Sequence, residues 1–295
     1  MNNLQQQIIK IDSGLRISNY LRPLFEKTTI GKVHSVFTNG LNFRLNDQLI
    51  YLSKTTDQPL SGIGIVPLDE NITNDLFQTI EQGNLIRVKP QELFFYGKPN
   101  MYQIKFDIVK EFDLSLPTLK IVDFTVDSLA DILAQFPIKS IFDNSGFRNE
   151  PSLSSMLSEL ESNKKNINQL IFDFIGRGIG LTPSGDDFLQ GYLVMSKVFG
   201  QGKEFEQNLI ESLKKRRTTD ISQAYYQAIF DNILPNQLWQ ELFLILANPT
   251  QENTDRLIAQ VELMRHYGHT SGNDFLLGVI HFMKELHHVK KNNKE

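Results

Sequence analysis

Between about residues 115 and 126 the hydrophobic period of this chain changes from two to roughly 3.6. Upstream, "GKVHSVFTNGLNFRLNDQLIYLSKT" alternates apolar and polar residues and is broken at Asn39-Gly40 and Asn46-Asp47. That is the chemistry of three strands joined by tight turns. "SGIGIVPL", "GNLIRVKP", "QELFFYG" and "MYQIKFDIVKEFDL" read the same way, with a short helix expected at "NDLFQTIEQG". Residues 14–27, "GLRISNYLRPLFEK", have near-helical spacing interrupted by Pro23, so a leading helix is expected there. From Val126 onward helical periodicity recurs in nine segments, from "VDSLADILAQF" to "NDFLLGVIHFMKELHH", separated by Gly, Pro or Thr-Asp breaks. The tail "VKKNNKE" is polar and is expected to fray. A single switch of period implies segregation. The fold class expected is α+β: a mainly β barrel- or sandwich-like region over 1–120, then an all-α domain over 121–295 carrying two similar loop–helix units.

Composition narrows the function classes. At 295 residues with 40% apolar side chains and 21 Phe, the chain can build a sizeable core, and its net charge of −4 is ordinary for a globular protein. No broad basic surplus points to nucleic acid; Lys214-Lys215-Arg216-Arg217 is short and follows Glu204, Glu206 and Glu211. Cys is absent, which excludes disulfides, thiolate chemistry and Cys-ligated zinc and fits a reducing compartment. The N-terminal stretch has no basic segment followed by an apolar core, and no apolar run reaches the roughly 18 residues of a membrane span. A cytoplasmic protein without membrane or nucleic-acid partners is expected.

The segment that carries the functional question is "GRGIGLTPSGDDFLQGYL", Gly176 to Leu193. Its octapeptide "SGDDFLQG" (Ser184–Gly191) returns 87 residues later as "SGNDFLLG" (Ser271–Gly278), identical at six of eight positions, with Asp186 replaced by Asn273. Each copy opens a helical pattern, so two similar loop–helix units are inferred. Helix capping explains part of this. Ser184 and Asp187, and likewise Ser271 and Asp274, have the spacing of a capping box, and acidic residues suit a helix N-terminus. Capping leaves a remainder. Gly191 and Gly278 stand mid-helix, where Gly costs about 1 kcal/mol against Ala, and this implies a close backbone approach, as between the two repeat helices. Asp186 has no capping duty. Gly176, Gly178 and Gly180 alternate at a cost in chain entropy, as in a nest of backbone N–H groups for an anion.

Two adjacent carboxylates would repel that anion, and two reconciliations stand open. One is Mg²⁺ held by Asp186 and Asp187 and shared with a phosphate. The other is that the carboxylates accept hydrogen bonds from a substrate amide or amino group.

Taken together, "GLTPSGDDFLQG", "GHTSGNDFLLG", "RRTTDISQAYYQAI" and "GKVHSVF" resemble the AllH family of oxamate carbamoyltransferase subunits over about residues 15–285, the first string being the specific part. The resemblance implies a β-containing N-terminal region and a helical C-terminal one. It also implies work with partner subunits in moving a carbamoyl group between oxamate and carbamoyl phosphate, in allantoin or purine-nitrogen breakdown. It assigns no catalytic residues; those below come from the residues themselves.

For a small anionic substrate with an amide end, Asp186, Asp187 and His269 are the candidate catalytic groups. The candidate substrate-binding residues are Gly178, Gly180, Thr182, Ser184, Gly185, Arg217, Thr218 and Thr219 from the first half. Ser271, Gly272, Asn273 and Asp274 are their counterparts around the second loop. Each has a bland reading beside it. Thr219 can cap the helix that follows, and Arg216 and Arg217 suit the end of the helix before it. Arg177, inside the glycine run, can meet an anion or point to solvent. His266 reads as a helix C-terminal cation, His34 as a half-buried strand residue, and His287-His288 as solvated. A non-catalytic binding or assembly subunit and a Mg²⁺-dependent phosphate or nucleotide enzyme are the alternatives. No Walker A lysine, nucleophile elbow or HExxH is present, and "GRGIG" follows a helix pattern, not the strand a dinucleotide fold needs.

Overall fold

The computed structural model describes residues 7–69, 74–247 and 251–292. Ten strands lie in the first part of the chain: β1 Ile8–Asp12, β2 Leu15–Ser18, β3 Thr29–Phe37, β4 Gly40–Leu45, β5 Gln48–Ser53, β6 Gly64–Pro67, β7 Leu85–Lys89, β8 Glu92–Tyr96, β9 Met101–Lys105 and β10 Val109–Phe112. They form one curled sheet, a half-barrel, in the order β1-β9-β8-β7-β3-β4-β5-β6-β2-β10. The curl follows from the pairing. β1 runs parallel to β9 at one end and β2 parallel to β10 at the other, yet only Ser13 and Gly14 separate β1 from β2. Chain continuity therefore draws the two ends of the sheet together.

Alternation sets the inner face. Leu41, Phe43 and Leu45 on β4, Ile86 and Val88 on β7, and Leu93 and Phe95 on β8 are fully buried in one cluster. Phe43 and Phe95 meet edge to face, their centroids 6.2 Å apart. The hairpins expected at Asn39-Gly40 and Asn46-Asp47 are present, Asn46 taking φ 52° in its turn.

The leading helix expected over 14–27 is not there. Leu15 and Ile17 point into the core of the sheet from β2, which pairs with β6 and β10. Only Asn19–Phe25 turn, as a 3₁₀ helix capped by the Ser18 hydroxyl, which accepts from the Tyr20 N–H at 3.2 Å. The near-helical spacing belongs to a strand followed by a tight turn, a case that periodicity over so short a run cannot separate.

Eleven helices are described: α1 Asn74–Thr79, inside the β region, then α2 Val126–Ala134, α3 Ile138–Asp143, α4 Pro151–Glu161, α5 Ile167–Phe174, α6 Ser184–Val198, α7 Lys203–Lys215, α8 Asp220–Phe230, α9 Gln237–Leu246, α10 Gln251–Arg265 and α11 Ser271–Asn292. The tail is thus helical through Asn292, and 293–295 lie outside the described residues. By contacts the chain divides into two compact units. One runs to Ser115 and includes Ile233–Gln237; the other holds Leu116–Asn232 and the chain from Leu238 on.

In the helical unit α6 and α11 form the centre. α6 is buried from Ser184 through Ser196, and α11 from Gly272 through Met283. A helix apolar nearly all round must be enclosed, and α5, α7 and α8 pack on α6 while α2, α3 and α10 pack on α11. The central pair meet backbone to backbone. A methyl group at Gly191 would run into the Phe275 carbonyl oxygen, and one at Gly278 into the Phe188 carbonyl oxygen. Because these residues hold equivalent places in the two octapeptides, the crossing is a pseudo-twofold one. Farther along the pair, Tyr192 donates to Glu285 at 2.6 Å.

Gly278→Ala tests this crossing. The substitution is expected to lower unfolding stability in urea by about 1–3 kcal/mol through overpacking, although Ala is favoured over Gly by roughly 1 kcal/mol inside a helix. An unchanged or raised midpoint would show that the helices do not approach so closely.

Candidate functional site

The close crossing places the N-termini of α6 and α11 side by side, and with them the two loops. The Thr182 and Ser271 hydroxyls are hydrogen-bonded at 2.9 Å, one from each loop. Asp187 and Asp274, the equivalent acids of the two octapeptides, are both fully buried and repel each other electrostatically. The hydroxyls cross between loops. Ser271, with Thr182, faces Asp187, while Ser184 faces Asp274. Each loop supplies the donor for the other loop's carboxyl.

The capping boxes expected at Ser184/Asp187 and Ser271/Asp274 do not form. Pro183 holds the N-cap position of α6, and its carbonyl accepts from the Asp186 and Asp187 N–H groups at 2.9 and 3.1 Å. The Asp274 N–H donates to the Thr270 carbonyl at 2.9 Å. With those amides satisfied by backbone, the Ser hydroxyls and Asp carboxyls are released to face across the crossing. Gly185 and Gly272 are likewise committed, donating to the carbonyls of Arg177 at 2.9 Å and Tyr267 at 3.0 Å. Both are candidate substrate-binding residues from the sequence, and these N–H groups are spent within the chain, holding each loop to the segment before it.

The carboxyls are held far from their ordinary state. Burial pushes Asp186 up to about 6, against donation from Thr218, from the Gly176 N–H at 3.2 Å and from Tyr226 at 3.1 Å. Asp274 also rises to about 6 through burial, opposed by the Ser184 and Thr270 hydroxyls and by the Gly146 N–H at 2.9 Å. Asp187 is driven well above the carboxylate range by burial and then by the charge of Asp274. Both Asp187 oxygens and Oδ2 of Asp274 are buried without a hydrogen bond, while the facing hydroxyls oppose the rise of both pKa values. These oxygens are left open to a ligand. Beside them Gln190, one turn along α6 from Asp187, is fully buried with neither amide atom bonded.

Around this floor lies the glycine loop. Gly176, Gly178 and Gly180 have φ of 66°, 113° and 111°, which side chains rarely adopt. Gly178 lies against the start of α6, where a Cβ would come 2.7 Å from the Ser184 nitrogen. Among the described residues no acceptor within the chain pairs with the N–H groups of Gly178, Ile179 or Gly180. Thr219 caps α8, its hydroxyl accepting from Ser222 N–H at 3.1 Å and donating to the Leu181 carbonyl at 2.6 Å.

Other expected site residues are not brought together. His269 is exposed, and among the described residues no hydrogen bond or ion pair ties it to the carboxyls. The Arg217 side chain is exposed, while its carbonyl lies against Gly176. Asn273 turns back to α10, donating to the Arg265 carbonyl at 3.2 Å and accepting from Arg265 Nε at 3.3 Å. Among the described residues no three His, Asp or Glu side chains converge as a metal site requires. No described helix is long and apolar enough to cross a membrane.

Sequence reasoning missed Gly146, Tyr226 and Gln190. Tyr226 lies in "RRTTDISQAYYQAI" and Gln190 replaces the Leu277 of the second octapeptide, so each left a local trace. Gly146 left none, because its partner Asp274 is 128 residues away.

A carboxyl whose folded pKa exceeds its unfolded value binds its proton more tightly when folded. Its stabilising contribution is complete below about pH 4 and is lost as pH rises through the folded value. Asp274, raised from 3.8 to about 6, therefore burdens the fold by about 3 kcal/mol at pH 8. Asp274→Asn is expected to raise the thermal unfolding midpoint at pH 8 and leave it nearly unchanged at pH 4. Equal effects at both pH values would refute the buried-acid account.

Comparison with known proteins agrees with this organisation. Residues 7–111 match the model of the AllH family N-terminal domain, and residues 174–283 match that of oxamate carbamoyltransferase subunit AllH. The first match spans the strands of the half-barrel, and the second runs from the end of α5 into α11, covering both octapeptides. No solved structure matches. With the strand region and the paired loops both matched, the chain belongs to the AllH family of oxamate carbamoyltransferase subunits.

Proposed function

We propose that this chain is a working subunit of an enzyme that moves a carbamoyl group between oxamate and carbamoyl phosphate, and that the paired loops hold the carbamoyl-bearing substrate. One observation carries the reading: the buried Asp187–Asp274 pair, with open oxygens, flanked by hydroxyls from both loops. A carbamoyl group ends in an NH₂, a double donor that suits open carboxyl acceptors. Its phosphate or carboxylate end suits the unpaired N–H groups of Gly178 and Gly180 and the hydroxyls of Thr182, Ser271 and Thr218. Raised pKa values remove the conflict between acids and an anion. A protonated Asp187 is neutral, so it donates to the ligand without repelling it. Asp186, bonded to Thr218, Tyr226 and the Gly176 N–H, positions the glycine loop. His269 and Arg217, on exposed segments, are assigned to the approach of the substrate. The absence of Cys suits a cytoplasmic setting, and the family's chemistry suits the breakdown of allantoin or purine nitrogen.

A second reading rests on a different observation. Several polar groups of the loops, including Asn273, Gly185, Gly272 and Thr219, are committed to bonds within the chain. That favours a non-catalytic binding or assembly subunit, with the chemistry in its partners.

Asp187→Asn in the reconstituted enzyme separates the two. The substrate-holding reading expects kcat/KM for carbamoyl transfer to fall by about 100-fold, with subunit assembly intact and stability at pH 8 equal to or above that of the parent. Activity within threefold of the parent would favour the assembly reading. Thr182→Val is expected to raise KM about tenfold through one lost hydrogen bond to charge.

A further inference from the structure

The glycine loop carries at its tip a side chain that the proposed binding reaction does not use. Ile179 is 90% exposed, between Gly178 and Gly180, and Leu181 beside it is 52% exposed. Phe172, on the last turn of α5, is 46% exposed and carries the Arg216 guanidinium over its ring at 5.2 Å. The loop is tied down on both sides of this tip. Arg177 N–H donates to the Phe174 carbonyl at 2.9 Å, Gly185 N–H to the Arg177 carbonyl at 2.9 Å, and Thr219 to the Leu181 carbonyl at 2.6 Å. A tethered loop that holds an isoleucine out in water forgoes the stabilisation its burial would bring. Scattered exposed apolar residues need no explanation, but an apolar group on one bound loop does.

Charge narrows what covers it. The segment running along the loop is Lys214 to Thr219. Lys214 is paired with Glu211 at 2.5 Å and Lys215 adds to the field on that carboxylate, whereas among the described residues Arg216 and Arg217 enter no ion pair. Asp173 and Asp220 are the acids nearest in sequence, and they do not outnumber these cations. In a chain of net charge −4, this is a local cationic rim around an apolar tip. Apolar centre and charged rim are the anatomy of a protein interface, and the sign of the rim sets the sign of the partner.

We infer that the Ile179–Leu181 tip, with Phe172 and the rim of Lys215, Arg216 and Arg217, is the docking surface for another subunit of the carbamoyltransferase, one that offers an apolar pocket edged by acidic residues. The family is named as that of a subunit, and this surface lies on the same loop as the proposed substrate donors. Docking there closes the loop against water.

The test uses the full chain mixed with the other purified subunits of its own carbamoyltransferase, read by calorimetric titration and analytical ultracentrifugation. Ile179→Asp and Arg217→Glu are each expected to weaken association at least tenfold, with the thermal unfolding midpoint of the isolated chain unchanged. Leu244→Asp, at an exposed position on α9, is expected to leave association intact. Raising salt is expected to weaken the parent complex more than the Arg217→Glu complex. Unchanged association for Ile179→Asp overturns the proposal. So does a self-association of the isolated chain that Ile179→Asp abolishes, which assigns the face to a second copy. An intact complex with a raised KM overturns it as well, assigning the tip to substrate. Because Asp187→Asn is read by turnover and Ile179→Asp by assembly, failure of the substrate reading leaves this one standing or falling separately.

Discussion

Everything in the helical unit turns on two glycines that let two helices touch. Gly191 admits the Phe275 carbonyl and Gly278 admits the Phe188 carbonyl, so α6 and α11 cross at backbone distance. Any side chain at either place would prise them apart and separate the loops at their N-termini. The crossing is also what buries Asp187 and Asp274. They lie one turn before the contact points, on the faces that meet, and cannot be solvated while the helices remain together.

The buried acids are a destabilising feature that packing alone does not require. Two leucines there would hold the helices together more firmly, since a buried carboxyl is tolerated only when protonated or well bonded. Burial raises the pKa of all three carboxyls, and Asp187 and Asp274 keep oxygens without a hydrogen bond, a departure from ordinary packing of the kind that clusters at functional sites. Stability is given up where function is expected. The pseudo-twofold arrangement makes the site simple to build: one loop–helix design used twice, each copy supplying the other's donor.

Much of the organisation was legible in the residues. Alternation over 31–55 marked three strands and their turns, because one face of the sheet is buried and the other is not. The mid-helix glycines signalled a close backbone approach, since nothing else justifies their cost. The leading helix failed because a strand joined to a 3₁₀ turn repeats its apolar residues at nearly helical intervals. The capping boxes failed for a subtler reason. Ser-x-x-Asp has the right spacing, but Pro183 and Thr270 already offer carbonyls to those amides, and a hydroxyl facing a buried carboxyl gains more than one facing a satisfied N–H.

By itself the sequence determined the class of fold, the segregation of strands from helices, the repeat, and the family, because periodicity and motif are local properties of the chain. Only the tertiary structure decided that the two octapeptides face each other, that Ser184 and Ser271 serve the opposite loops, that Gly146 reaches Asp274, and that Asn273 and His269 stand apart from the carboxyls. Those are relations between residues distant in sequence. They are set by which surfaces exclude water together, and no local pattern records that.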